Sequence, residues 1–326
     1  MHKHIFLRRV ASSLLAALAV GAAVAHVPAY ALDKVSVRLN WIPGSEHAYF
    51  FLGKEKGWYA AEGIDLEILP GKGSTVSVTT VGSGDTDFAL ADGASVARGW
   101  EVGVPVVVTS VLLKDSPASI YSRKSSGIAT IADLCGKRVG VNLKSTTTAQ
   151  YKAMVALAAP KDCKIEEVPT TAGGSKELLA GLVDAAVTFS YEDPVQLKVK
   201  GVELNEIIAG KFFKLYSLGL ITNRNLLTNK RDVVNRFMRV TMRSMQYAIA
   251  HPDEALAAFL KTSPEANIDY EREKLALFNR LLLADDSTGK SLGKHDLKGW
   301  QASLETMQKL GIVKAMIDPA EKFVSF

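Results

Sequence analysis

Apolar and polar positions along the first two thirds of the chain follow a pattern typical of strands separated by helices. Short apolar or alternating runs predict strands, and the stretches between them have helical spacing. The predicted strands are Val35–Leu39, Ile64–Leu69, Phe88–Ala91, Val104–Val111, Ala118–Tyr121, Arg138–Val141, Ile165–Val168, Ala185–Phe189 and Tyr216–Thr222. Alternation of strands with helices favours parallel α/β sheets.

The chain divides into two α/β lobes and a helical tail. Crossings near residues 115–124 and 213–218 separate the two sets of strands. From Arg231 onward the pattern is helical, with predicted helices at Arg231–Ala250, Pro252–Thr262, Tyr270–Leu283 and Lys294–Leu310. We therefore predict a first lobe of residues 32–120 and 217–326, and a second lobe of residues 121–216.

Residues 1–31 have the composition of a secretory signal peptide. Met1–Arg9 is basic, Val10–Ala25 is apolar, and Ala29 and Ala31 supply small residues at the −3 and −1 positions of a cleavage site. We expect cleavage after Ala31 and a periplasmic mature protein. The alternative is a membrane anchor, although the apolar run is shorter than the ~20 residues that a span needs.

Composition and charge narrow the possible functions. Of the 326 residues, 48% are hydrophobic and 22% are charged, which is ordinary for a globular protein. The formal net charge is +5, but three of the 39 basic residues lie in the leader, and the rest nearly balance 34 acidic residues. We therefore expect no nucleic-acid partner, because no basic stripe remains.

Cys135 and Cys163 are candidates for a disulfide. Each precedes a predicted strand, and the predicted helix Thr147–Ala158 lies between the two strands. Such a unit places its strands parallel and commonly as neighbours. An oxidising compartment favours the bond, and the alternative is two buried thiols. Neither Cys has a His in its local sequence, so we do not expect a catalytic thiol.

Polar loops follow the predicted strands at their carboxyl ends, which is where open parallel sheets bind ligands. They supply eight candidate ligand-binding residues: Asn40, Trp41, His47, Ser74, Asp92, Ser145, Thr146 and Tyr191. Aromatic faces suit a planar ligand, and unpaired N–H groups at helix starts favour an anionic group. Simpler roles remain open: a loop anchor for Trp41, a surface position for His47, and N-capping for Ser74 and Ser145.

No catalytic set, metal site or cofactor is predicted. Gly-x-Ser-x-Gly and His-Glu-x-x-His are absent, and Gly71–Ser74 lacks the spacing of a P-loop. The three His residues after the leader, His47, His251 and His295, do not have the spacing of a metal site.

Six segments together form a recognisable signature: Leu39–Pro43 with His47, Gly53–Tyr59, Glu62–Glu67, Gly82–Ala89, Ile131–Val141 and Gly181–Ala186. The signature resembles the substrate-binding proteins of ABC importers in the nitrate/sulfonate/taurine and thiamine-precursor group. The resemblance covers about residues 33–260. The spacing of Trp41, Pro43 and His47 is most similar to the thiamine-pyrimidine branch.

The resemblance implies a two-lobe type II periplasmic binding protein with two hinge crossings and a helical C-terminal tail. The lobes would close over a ligand and present a surface to a membrane permease. The predicted function is the periplasmic substrate-binding component of an ABC importer, a monomer and not an enzyme. Its ligand would be a heteroaromatic compound similar to a thiamine-pyrimidine precursor, or an anionic organic compound.

The role of each candidate residue follows from this interpretation. Trp41 and Tyr191 would stack on a ring, and His47 and Asn40 would hydrogen-bond its polar edge. Ser74, Ser145 and Thr146 would donate to an anionic group. A receptor for an alkyl or aryl sulfonate or an aromatic carboxylate is one alternative. A secreted enzyme on the same fold, with His47 as base, is another.

Overall fold

A computed structural model describes residues 31–143 and 145–326. Residues 1–30, which hold nearly all of the predicted signal peptide, lie outside the described residues, so cleavage after Ala31 stays a prediction. Within the described part of the chain, no helix combines the length and apolarity needed to cross a membrane.

Ten strands form two five-stranded sheets in the described residues. In chain order they are β1 Asp33–Arg38, β2 Ile64–Leu69, β3 Phe88–Asp92, β4 Val106–Val111, β5 Ala118–Arg123, β6 Arg138–Val141, β7 Glu166–Pro169, β8 Ala185–Phe189, β9 Leu204–Ile208 and β10 Leu218–Asn223. The first sheet has the order β2-β1-β3-β10-β4, and the second has the order β7-β6-β8-β5-β9.

Twelve helices of the same described ranges connect and cover these strands. They are α1 Ala48–Glu55, α2 Trp58–Ala61, α3 Ser74–Ser83, α4 Gly93–Glu101, α5 Thr146–Ala158, α6 Ser175–Leu179, α7 Asp193–Val199, α8 Arg224–Asn229, α9 Arg231–Ala250, α10 Pro252–Leu260, α11 Ile268–Leu282 and α12 Leu297–Lys309. A 3₁₀ turn at Ser45–His47 precedes α1.

Both sheets are mixed rather than wholly parallel. β1 lies between β2 and β3 and is parallel to both, with Val37 opposite Ile68 and Phe88. β10 runs antiparallel between β3 and β4, and β5 runs antiparallel between β8 and β9. β5 and β10 are the strands that enter a sheet directly from the other sheet. Without a helical crossover, a strand can pair antiparallel to its neighbours.

The first crossing runs from the end of β4 at Val111 to the start of β5 at Ala118 and overlaps the crossing predicted near residues 115–124. β5 begins at Ala118, where it pairs with Phe189 of β8 in the second sheet. The predicted boundary at residue 120 therefore falls inside a strand of the second sheet. The sequence pattern does not predict β9. This strand, Leu204–Ile208, lies at the edge of the sheet and contains two polar residues, so it lacks a clear apolar run.

The core of the first lobe forms between its sheet and the helical tail. Val35 and Val37 of β1 are buried, as is the Phe88 side chain of β3. The Phe88 ring stacks on Phe237 of α9 at a centroid distance of 3.9 Å. The tail helix α11 packs against both the 3₁₀ turn of the first lobe and α7 of the second lobe. The tail therefore contacts both lobes.

Cys135 and Cys163 form a disulfide in this structure. Cys135 precedes β6 and Cys163 precedes β7, and these two strands are parallel neighbours, with Arg138 opposite Glu166. The bond therefore joins the amino-terminal ends of adjacent strands, which is the arrangement that the sequence predicts.

Candidate ligand-binding cleft

A cleft of about 810 Å³ opens between the two sheets. Its walls are the loops that follow β1 and β2 in the first sheet and β6, β7 and β8 in the second. These are carboxyl ends of parallel strands, the position at which open α/β sheets bind ligands. The volume falls within the range of about 300–1,000 Å³ typical of small-molecule sites.

Two backbone hydrogen bonds hold the first-lobe wall. Gly71 N donates to Trp41 O at 2.8 Å, and Gly73 N donates to Asn40 O at 2.9 Å. The loops approach so closely that a Cβ on Gly71 would lie 2.2 Å from Leu39 O. Gly73 has φ +101°, a conformation that favours glycine. The two glycines thus permit the loop contact that presents Asn40 and Trp41 to the cleft.

Trp41 presents a large apolar surface in this wall. Its side chain lines the cleft, and the residue is 38% exposed. An exposed indole face beside polar groups is suited to stacking on a planar ring. This placement agrees with the predicted position of Trp41.

His47 lies behind the wall rather than in it. Its Nε2 lies 2.9 Å from Asn40 Oδ1, and its Nδ1 accepts a hydrogen bond from Gly44 N at 3.3 Å. The Gly44 N–H bond requires an unprotonated Nδ1, so Nε2 donates to Asn40. The side chain is fully buried, and burial, together with the nearby Lys274 ammonium, holds the pKa of His47 well below its usual value. A neutral His47 therefore fixes the orientation of Asn40, so that the Asn40 amide nitrogen can donate to a ligand.

The second-lobe wall is rich in hydroxyl groups. Ser145 caps α5, and its Oγ accepts a hydrogen bond from Thr147 N at 3.3 Å. Further hydroxyl side chains of the wall belong to Thr146, Thr147, Thr170, Thr171 and Thr188. Hydroxyl groups both donate and accept, so this wall can satisfy a polar ligand edge of either kind.

Phe189, Glu192 and Asp193 line the cleft at the turn from β8 into α7, and we refer to this segment as the inner end of the cleft. Glu192 Oε2 accepts hydrogen bonds from Tyr270 Oη and Lys274 Nζ, both at 3.2 Å. Burial raises the pKa of Glu192 to about 7, while the Lys274 charge opposes that shift. The inner end therefore combines an aromatic ring with carboxylates.

Five of the eight predicted residues line the cleft: Asn40, Trp41, Ser74, Ser145 and Thr146. His47, Asp92 and Tyr191 are buried outside the lining, so the structure does not place them facing the cleft as the sequence predicts. Asp92 instead caps α4, accepting a hydrogen bond from Ala94 N at 2.9 Å and another from Ser217 Oγ at 3.1 Å. β3 leads directly into α4, so no loop carries Asp92 toward the cleft.

Tyr191 is buried because the tail covers it. Only 2% of the residue is exposed. Its ring stacks on Phe189 at 5.5 Å and meets the edge of Phe278, from α11, at 5.4 Å. Phe189 lines the cleft, so it occupies the aromatic position that the sequence assigned to Tyr191. The sequence reasoning missed Phe189 and Glu192, although both flank Tyr191 at the end of the same strand.

Both lobes contribute charged side chains to the lining. Among the described residues, no cluster of three or more His, Cys, Asp or Glu side chains could hold a metal ion. The cleft lining among those residues contains one cation, Lys72, and two carboxylates, Glu192 and Asp193.

Comparison with known proteins places this architecture in a family. A match to the NMT1/THI5-like family covers residues 44–255. The chain belongs to this family. The match begins after Asn40 and Trp41 and spans the loops after β2, β6, β7 and β8, so it includes most of the cleft. The predicted family is thereby confirmed.

Relatives of the chain include both binding proteins and enzymes. The riboflavin-binding protein RibY of Chloroflexus aurantiacus is 26% identical over 303 residues, covering 90% of this chain and 86% of the relative. A formylaminopyrimidine-binding protein of Halalkalibacterium halodurans is 25% identical over 281 residues, 83% of each chain. The 4-amino-5-hydroxymethyl-2-methylpyrimidine phosphate synthase THI5 of Saccharomyces cerevisiae is 24% identical over 250 residues, 73% of each chain.

A solved structure shares the fold. The alkanesulfonate-binding protein SsuA of Xanthomonas axonopodis pv. citri superposes with a TM-score of 0.67 at 13% identity, covering 90% of this chain and 98% of SsuA. The predicted two-lobe periplasmic binding protein fold is thereby confirmed.

Proposed function

We propose that this chain is the periplasmic substrate-binding component of an ABC importer. We further propose that its ligand is a neutral heteroaromatic compound bearing N–H groups, such as an aminopyrimidine or a flavin. The two-lobe fold and the relatives named for binding riboflavin and formylaminopyrimidine support the proposal. The predicted leader supports export, and closure of two lobes would create a surface for a permease.

The two carboxylates of the lining support a ligand that carries N–H donors. Within the described residues, the cleft has two carboxylates and one ammonium group, and no arginine lines it. A sulfonate or carboxylate group placed beside Glu192 and Asp193 would be repelled, because like charges repel in a partly desolvated cleft. A neutral ring with N–H groups can instead donate to these carboxylates. We therefore rank the anionic ligands below the heteroaromatic ones.

Aromatic groups on both walls support the same choice. Trp41 belongs to the first lobe and Phe189 to the second. Lobe closure would bring these two apolar faces toward a planar ligand from opposite sides. The Asn40 amide and the hydroxyl groups of the second wall would then meet the polar edge of the ring.

A ligand panel tests the proposal on the mature chain, beginning at Leu32. The panel contains riboflavin, 4-amino-5-hydroxymethyl-2-methylpyrimidine, MOPS and benzoate. A compound at 100 times its Kd should stabilise the protein by about 2.7 kcal/mol and raise the melting temperature. We expect a shift with at least one heterocycle and none with MOPS or benzoate. A shift with only the two anions would contradict the ligand assignment.

A second candidate function is an enzyme on the same fold, which the similarity to the yeast synthase favours. His47, the base that the sequence offered for such an enzyme, lies outside the cleft lining. Incubation of the bound heterocycle with stoichiometric protein distinguishes the two functions. Quantitative recovery of unchanged compound supports binding, and conversion to a new product supports catalysis.

A further inference from the structure

A buried cluster of charges lies directly behind the inner end of the cleft. Lys274 Nζ lies 2.7 Å from Glu46 Oε2 and 3.2 Å from Glu192 Oε2. The side chains of Lys274 and Glu46 are 4% and 2% exposed, and that of Glu192 is 19% exposed. Glu46 belongs to the first lobe, Glu192 to the second, and Lys274 to the tail helix α11. Residues far apart in sequence thus meet at one buried ammonium group.

The contacts of Glu192 are confined to one of its two carboxylate oxygens. Lys274 Nζ and Tyr270 Oη both donate to Oε2. Within the described residues, Oε1 accepts no hydrogen bond from the protein, and Glu192 lines the cleft. Two donors on the same oxygen fix the orientation of the carboxylate. Oε1 is therefore the oxygen that remains available to a ligand.

We infer that Lys274 is a positioning residue for ligand recognition. It holds Glu192 in an ionised, fixed orientation in which Oε1 accepts an N–H group of the ligand. This inference rests on the proposed function because it takes the cleft as the ligand site. It deepens that function by requiring that the ligand place an N–H donor at the inner end of the cleft.

The balance of charge explains why Glu192 needs Lys274. Among the described residues, the charged and titratable groups around Glu192 are Lys274 and Tyr270 of α11, Glu46 of the 3₁₀ turn, and the adjacent Tyr191 and Asp193. Two carboxylates, buried Glu46 and partly buried Glu192, share one ammonium group. A buried carboxylate without a counter-ion takes up a proton, because desolvation penalises the charged form. Lys274 favours ionised Glu192, and Glu46 disfavours it.

Two substitutions should shift the pH midpoint of ligand binding in opposite directions. An ionised Glu192 accepts the ligand N–H, so binding weakens as pH falls through the pKa of Glu192. Lys274→Met removes the favourable charge and should move this midpoint to higher pH. If the midpoint rises by about one pH unit, affinity at pH values below both midpoints falls by about tenfold. Glu46→Gln removes the like charge and should move the midpoint to lower pH, with affinity at neutral pH retained.

Calorimetric titration with 4-amino-5-hydroxymethyl-2-methylpyrimidine and with riboflavin, between pH 5.5 and 8.5, measures these midpoints. Lys261→Met is the matched control, because Lys261 pairs with Glu55 on the surface. Its pH profile should equal that of the unmodified protein. A merely structural role for Lys274 would weaken binding equally at every pH. That result, or shifts of both variants in the same direction, would overturn the inference.

A second measurement keeps the inference testable if neither heterocycle binds. The carboxyl ¹³C resonance of Glu192, assigned with Glu192→Gln, reports its titration in the ligand-free protein. The midpoint should rise in Lys274→Met and fall in Glu46→Gln. Failure of binding alone then counts against the proposed function, whereas unchanged NMR midpoints count against the positioning role.

A further variant covers the case in which Lys274→Met does not fold. The double variant Glu46→Gln with Lys274→Met carries no unpaired carboxylate at position 46. The Lys274 effect on Glu192 exceeds that of Glu46. The titration midpoint of Glu192 in the double variant should therefore still lie above the midpoint in the unmodified protein. A midpoint in the double variant at or below the unmodified value would refute the inference.

Discussion

Trp41 and His47 are six residues apart, yet they occupy opposite sides of the same loop. Trp41 is partly exposed and lines the cleft, whereas His47 is fully buried behind it. The difference decides what each side chain can do. Trp41 can contact a ligand directly, and His47 can act on a ligand only through Asn40.

Trp41→Ala should weaken binding of the heterocycle found in the panel while leaving the fold intact. Loss of a stacking face costs about 1–2 kcal/mol, roughly a 5- to 30-fold rise in Kd. Because the indole is partly exposed, the free energy of unfolding should change by only about 0.5 kcal/mol. Calorimetry and urea unfolding measure the two effects. Ile42→Ala, an exposed neighbour that does not line the cleft, is the control.

His47→Ala should lower both stability and affinity. The change leaves a buried gap and an unpaired Asn40 Oδ1, which together cost about 1–3 kcal/mol of unfolding free energy. Affinity should fall as well, because Asn40 loses its orientation. Urea unfolding and calorimetry measure the two losses. His251→Ala, in an exposed position of the tail, should change neither quantity.

The buried, neutral state of His47 also predicts a dependence of stability on pH. Its pKa in the folded state lies well below the unfolded value of about 6.5, so the unfolded state binds the extra proton. His47 therefore contributes a loss of stability as pH falls below about 6.5. Urea unfolding between pH 5 and 8 should show that the free energy of unfolding falls less steeply with decreasing pH in His47→Ala than in the unmodified protein. An identical slope in both proteins would exclude this account.

At the scale of secondary-structure elements, the strand ends and the loops that follow them build the site. The loops after β1 and β2 are joined by hydrogen bonds from Gly71 and Gly73. The sequence pattern predicted these strands and loops, because alternation and turn residues are local signals. It did not predict that β5 and β10 would pair antiparallel, because strand direction depends on the route of the whole chain.

The disulfide between Cys135 and Cys163 is an element-scale constraint on β6 and β7. Replacing both cysteines by serine should destabilise the protein by about 3–4 kcal/mol, the chain-entropy value for a loop of this length. The two residues are separated by 28 positions and do not line the cleft. Thermal unfolding should show a lower Tm in the double variant, and the Kd for the bound heterocycle should not change. Equal Tm values would contradict the constraint.

At the scale of the whole molecule, the helical tail connects the two lobes in addition to the two chain crossings. α11 packs on the 3₁₀ turn of the first lobe and on α7 of the second. Its side chains bury Tyr191 and hold Glu192. When the lobes close, the contacts of α11 with the two lobes must therefore either rearrange or act as a pivot.

Ligand binding should close the lobes and reduce the radius of gyration. Closure lets both walls contact the ligand at once, so the ligand binds the closed state more tightly than the open one. Small-angle X-ray scattering with and without saturating heterocycle measures the change. The Trp41→Ala variant, mixed with the heterocycle at a concentration too low to fill its site, should show no change in the radius of gyration. An unchanged radius in protein that calorimetry shows to be saturated would rule out closure.

The sequence by itself determined the α/β lobes, the helical tail, the family and five residues that line the cleft. These features depend on local periodicity, on loops at strand ends and on short motifs, each of which is formed by residues close together in the sequence. Tertiary structure alone decided the burial of His47 and Tyr191, the use of Asp92 as a cap, and the meeting of Glu46, Glu192 and Lys274. Burial and charge pairing depend on which distant elements pack together, so no local pattern encodes them.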